Sequence, residues 1–152
     1  RLCAHALAQT MPRTIAMMIK TYSELSRLQT FEERFDYLVL GGVVGHSTFG
    51  RDRYLNQIFY NSYDWKLARD KVIIRDNACD LGIIGRDILD RIYVHHMNPI
   101  TIEDFENNYG ILIDPEFLIC TSFRTHQAIT FGDPKHIVKL PRERRKGDTL
   151  LW

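Results

Sequence analysis

The sequence has little charge of either sign to spare. Lysine and arginine number 20 and aspartate and glutamate 19, so the formal net charge is +1. A nucleic-acid binder commonly carries a larger basic excess, and whole-chain charge gives no support to that class. Cysteine is scarce: the three thiols, Cys3, Cys79 and Cys120, form no C-x-x-C pair. A cysteine-rich zinc knuckle is therefore not encoded, and so sparse and odd a count suits a reducing compartment. No apolar run is long enough to span a bilayer. Internal repeats and low-complexity segments are also missing.

What remains is ordinary for one globular domain. The chain has 152 residues, 45% hydrophobic and 26% charged, enough for a modest single core. Residues 1–17 read as a poorly informative leader, mildly apolar from Leu2 to Ala8, and residues 18–152 as the domain. Basic residues cluster locally, at Arg142, Arg144, Arg145 and Lys146 near the end and at Arg51, Arg53, Arg69, Lys71 and Arg75 in the middle.

Punctuation residues divide the chain. Thr30-Phe31-Glu32-Glu33 has capping-box spacing and predicts a helix through Phe35 and Leu38, ended by Gly41-Gly42. A glycine-containing loop from Val43 to Gly50 follows, then a short helix from Arg53 to Tyr60. Ser62 caps a helix from Tyr63 to Ile73 that buries Trp65, Ala68 and Val72. Asp76-Asn77 and Asp80-Leu81-Gly82 are turns. Arg91–His96 alternates around Ile92 and Val94 and predicts a strand that Pro99 breaks. Thr101 opens a short helix, and Asp114-Pro115 turns the chain. Phe117–Cys120 is strand-like, and Thr121 or Ser122 caps a last helix through Ile129, stopped by Gly132-Asp133-Pro134. The expected class is α+β, with N-terminal helices and an extended C-terminal tail.

The order strand, loop, strand, helix puts histidines where they can converge. Adjacent His95 and His96 point to opposite sides of a regular strand. His126 lies on the helix, and position 130 is one turn further on the same face. Phosphodiester hydrolysis needs a proton acceptor, which a neutral imidazole supplies, and a cation, which imidazoles can hold. A lone histidine is more often structural or exposed, and a histidine pair before proline can simply end a strand. Thr130 weakens the metal reading, since a hydroxyl is a poor ligand.

Y-V-H-H-M-N-P-I-T-I-E-D-F from Tyr93, with L-I-D-P-E-F-L-I-C-T-S-F-R-T-H-Q-A-I-T-F-G-D ending at Asp133, resembles the H-N-H endonucleases of bacteriophages. Upstream, M-I-K-T-Y-S-E-L, T-F-G-R-D-R-Y-L-N-Q-I-F-Y-N-S and W-K-L-A-R-D-K-V-I-I-R-D-N-A-C-D-L-G are similar to the same group, as is the closing G-D-T-L-L-W. The resemblance implies a ββα-metal (His-Me finger) core at about residues 90–133. It implies a metal-dependent DNA endonuclease of phage or prophage type, linked to genome packaging and acting in the host cytoplasm, with DNA, terminase and portal proteins as partners. One divalent ion (Mg²⁺, Mn²⁺, Ni²⁺ or Zn²⁺) would be held by His95 and His126, and His96 would activate water. Thr130 stands where the family commonly has another histidine, Gln127 where asparagine is frequent, and Phe117 where many members have the middle asparagine. Asp133 is a candidate to support the ligand set. Arg51, Arg53, Arg75, Arg144 and Arg145 are candidate DNA contacts. For Arg69 and Arg75, ion pairs to Asp70 or Asp76 are the competing explanation. The alternative function is a weakened or inactive DNA-binding packaging accessory of the same fold.

Overall fold

The computed structural model describes residues 19–40 and 53–136. The leader, Gly41-Gly42, the following loop with Arg51, and the tail with Arg144 and Arg145 lie outside the described residues, as does the side chain of Arg53.

Local sequence builds the helical half. After α1 (Tyr22–Leu25), the side chain of Thr30 accepts the Glu33 amide and the Glu33 carboxylate accepts the Thr30 amide, so α2 (Phe31–Leu38) begins on a complete capping box. α3 (Arg53–Asn61) runs into α4 (Tyr63–Arg75), whose first turn is capped by the Ser62 hydroxyl. Trp65, Ala68 and Val72 recur at helical spacing and form the buried face of α4. The chain leaves α4 through Asn77 and Ala78, both with positive φ, 52° and 55°. This left-handed turn suits asparagine and is mildly strained for alanine.

Two antiparallel hairpins follow. β1 (Cys79–Asp80) pairs with β2 (Arg86–Asp87), and β3 (Tyr93–His96) pairs with β4 (Leu118–Thr121). In the second hairpin Tyr93 faces Thr121, His95 faces Ile119 and His96 faces Leu118. Between β3 and β4 come α5 (Ile102–Asn107), with a Thr101–Asp104 capping box, α6 (Tyr109–Ile113), and a 3-10 turn at Pro115–Phe117. α7 (Phe123–Phe131) starts on the Ser122 hydroxyl and ends at Gly132, whose φ of 71° forms the left-handed stop.

The outer edge of β4 is covered from the α4–β1 corner. Arg75 donates to the carbonyls of Pro115 and Leu118, the buried Asp76 carboxylate accepts the Cys120 amide at 2.8 Å, and the Leu81 amide donates to the Cys120 carbonyl at 3.0 Å. Edge groups that would otherwise seek a foreign strand are thereby satisfied.

The β3–β4 hairpin separates two apolar clusters. Leu118 and Cys120 join Phe59, Trp65, Ala68, Val72 and Leu112 on one side, with Ile92 and Val94 packed beside them. Ile119 joins Leu25, Leu38, Leu40, Met97 and Ile129 on the other. The alternation follows from the two-residue period of a strand. The architecture is thus α+β, with two small antiparallel hairpins and several helices. The β1–β2 hairpin and the short α1 and α6 are additions to the sequence reading. They are too brief to carry a periodic signal. No helix among the described residues is long and apolar enough to cross a membrane.

Candidate functional site

His95 and His96 leave the strand on opposite faces, as alternation requires. His95 is 6% exposed and faces α7, where its ring lies 5.0 Å from that of His126, nearly perpendicular to it. Nε2 of His95 and Nδ1 of His126 are both buried, and neither has a hydrogen-bond partner among the described residues. Paired orphan nitrogens of this kind are uncommon in a folded protein. Burial pushes the His95 pKa well below its ordinary value, and His126, His96 and Lys20 push the same way. Burial also lowers that of His126. Both rings are neutral at neutral pH.

His96 belongs to the other face. It stacks on Trp65 at 5.2 Å, and its Nε2 lies 2.9 Å from the Leu112 carbonyl, a contact that assigns the proton to Nε2 and leaves Nδ1 as the acceptor. Desolvation brings its pKa down to about 4, opposed by the bond to Leu112. A pocket of about 20 Å³ beside it, lined by Asn98, Pro99, Asp104 and Leu112, has room for one water and not for a nucleotide. The structure therefore joins His95 to His126 and sets His96 on the reverse side of the hairpin.

The expected divalent ion is corrected by the same geometry. Among the described residues, no group of three or more histidine, cysteine, aspartate or glutamate side chains comes together to hold a metal. α7 also carries Gln127 and Thr130, both half-buried and neither of them charged. Asp133 lies past the end of α7, where its carboxylate accepts the Lys135 amide at 2.9 Å. Two neutral imidazoles with no carboxylate are too few and too weakly charged for a divalent ion.

One ammonium, that of Lys20, acts electrostatically on His95. The Lys20 backbone pairs with the Asn98 side chain in both directions, at 2.8 and 2.9 Å. The Lys20 ammonium donates to the carbonyls of Leu38 and Val39 at 3.2 and 2.8 Å, at the end of α2. The next residue, Leu40, donates to the Ile129 carbonyl on α7. Lys20 is thus tied to Asn98 in the segment after His95 and to the end of α2, and Leu40 ties that end to α7.

Of the other arginines singled out, Arg75 spends its guanidinium internally. It binds Asp76 at 2.7 Å and the two carbonyls near β4, and lies 3.7 Å from the Tyr22 ring centroid. Arg69 pairs with Asp70 at 3.7 Å. Sequence reasoning passes over three residues linked to the imidazole pair, and over Arg124 on the same helix as His126. Tyr93 lies 5.6 Å from both Phe123 and His126. Phe123 is 55% exposed. Arg91 sits 5.5 Å over the Tyr93 ring, and both Arg91 and Arg124 are exposed. The available signal was arginine interleaved with aromatics at the start of β3 and of α7.

No family model, curated protein or solved structure matches the chain.

Proposed function

We propose that this chain is a DNA-binding protein on a nuclease-like ββα scaffold that does not cut DNA by the metal-dependent route. The observation that carries the reading is the surface around the His95–His126 pair. Arg91 offers an exposed guanidinium over Tyr93, Tyr93 and Phe123 offer aromatic faces, and Arg124 is exposed on α7, the helix that carries His126. Guanidinium groups bind phosphate bidentately, and aromatic faces accept bases or sugars. The order β3, β4, α7, with the imidazoles on β3 and α7, supports the resemblance to the H-N-H fold. The short ligand set and the position of His96 favour the binding role over the hydrolytic one. A place in phage genome packaging, next to terminase and portal, rests on the resemblance alone.

Two measurements test the reading. Fluorescence anisotropy of a labelled duplex should give salt-dependent binding. Arg91→Ala with Arg124→Ala should weaken it about tenfold or more and reduce the salt slope by about one for each phosphate no longer neutralised. Plasmid incubated with the protein in Mg²⁺, Mn²⁺, Ni²⁺ or Zn²⁺ should stay intact. Nicking that disappears in His96→Ala while DNA binding persists would restore the endonuclease reading.

A further inference from the structure

α7 buries Thr125, Ala128 and Ile129 but exposes a phenylalanine at each end, Phe123 at 55% and Phe131 at 66%. Arg124 is exposed next to Phe123, and Gln127 is half-buried. Positions 124, 127 and 131 follow helical spacing, so a guanidinium, an amide and an aromatic ring share one outer stripe. An exposed phenylalanine standing alone is ordinary. Phe123 does not stand alone. Its ring lies 5.6 Å from that of Tyr93, and the Arg91 guanidinium lies 5.5 Å over Tyr93. The backbone that presents the two rings is well fixed. The hairpin sets Tyr93 opposite Thr121, and the buried Asp80 carboxylate accepts the Ser122 amide and the Thr125 hydroxyl at the β4–α7 corner. Charge on these two elements is of one sign. Neither β3 nor α7 contains a carboxylate, and Arg91 and Arg124 form no ion pair among the described residues.

A ligand that suits this surface combines negative charge with flat apolar faces. A single-stranded nucleic acid has both, in its phosphates and in bases whose faces are open. A duplex hides those faces in its own stack. It offers groove edges, which amide and guanidinium groups read and phenylalanine does not. We propose that the surface is a single-strand platform, in which Phe123 stacks on a base and Arg91 and Arg124 hold backbone phosphates. This rests on the reading of the chain as a DNA binder and names the form of DNA it prefers. Phe131 stands eight positions on, roughly 12 Å along the helix axis, and extends the platform with a second aromatic face. Duplex DNA engages the arginines through its phosphates and gains nothing from base stacking, so it binds more weakly.

The test is fluorescence anisotropy of the full chain with three labelled probes: a short thymidine strand, an abasic strand of equal length, and a duplex of equal length. The thymidine strand should bind about tenfold or more tighter than the abasic strand, as one stacked base requires, and tighter than the duplex. Phe123→Ala, at an exposed position, should erase most of that advantage. Phe123→Trp should restore it, with the new indole emission quenched when the thymidine strand binds. Arg124→Ala should weaken all three probes by a similar factor, because a phosphate contact is blind to the base. Equal affinity for the thymidine and abasic strands overturns the proposal. So does a Phe123→Ala loss of the same size on every probe. Duplex binding without single-strand binding sinks the platform and spares the DNA-binding reading, whereas no binding to any probe ends both. Self-association of the free chain in sedimentation, abolished by Phe123→Ala, would assign the face to a second copy instead.

Discussion

Three histidines of one small region end in different chemical situations because of where their rings are buried. His96 has its proton engaged by the Leu112 carbonyl and its face on Trp65. His95 and His126 pack edge to face, 5.0 Å between ring centroids, and each keeps one buried nitrogen without a partner among the described residues. All three have folded pKa values below the ordinary one. In the unfolded chain these rings take up protons near pH 6.5, whereas in the folded chain His96 does so only near pH 4. The unfolded state therefore binds more protons in that window. The stability is fully present above about pH 6.5 and is lost as pH falls toward 4. Urea unfolding at pH 5 should show about 2 kcal/mol less stability than at pH 7 from His96 alone. His96→Gln should flatten that dependence, and an unchanged pH profile would refute the burial argument. The existence of the histidines, and the opposite facing of His95 and His96, could be read from the sequence. Which of them meets His126 could not, because that depends on which face of the hairpin α7 covers.

At the level of elements, side-chain caps and one buried ion pair hold the parts in register. The Thr30, Ser62, Thr101 and Ser122 caps are all local, with the hydroxyl accepting an amide three residues on. Sequence alone placed them because the partners lie within one turn. The Arg75–Asp76 lock is different. It joins the end of α4 to Pro115, Leu118 and Cys120, some forty positions later. Sequence suggested the ion pair but not its grip on β4, since nothing in the spacing of 75 and 118 marks them as neighbours. The two kinds of contact should differ in cost. Thr30→Ala should remove about 1 kcal/mol. Asp76→Ala leaves a buried amide and a half-buried guanidinium unpaired and should cost about 3 kcal/mol or more. Comparable midpoints for the two variants in urea would contradict this account.

For the molecule as a whole, the β3–β4 hairpin is the partition on which both apolar clusters rest. Leu118 and Ile119 are consecutive and fully buried, yet belong to different clusters. Truncating either to alanine opens a cavity in one cluster and should cost about 2–5 kcal/mol. Because both clusters share the hairpin, unfolding should remain one transition, with Trp65 fluorescence and far-ultraviolet dichroism coinciding in both variants. Separate midpoints would mean that the clusters fold independently.

The sequence by itself determined the α+β class, the positions of the main helices, the β3 and β4 segments, and the buried face of α4. Each of these depends on contacts within a few residues or on a simple period. Only the tertiary structure decided that His95 and His126 form the pair, that His96 serves the opposite face, that Arg75 is spent on β4, and that Lys20 pairs with Asn98. These are contacts between distant segments, such as the Lys20–Asn98 pairing across 78 positions. Neither periodicity nor local spacing specifies them, and they exist only once the hairpin has packed between its two clusters.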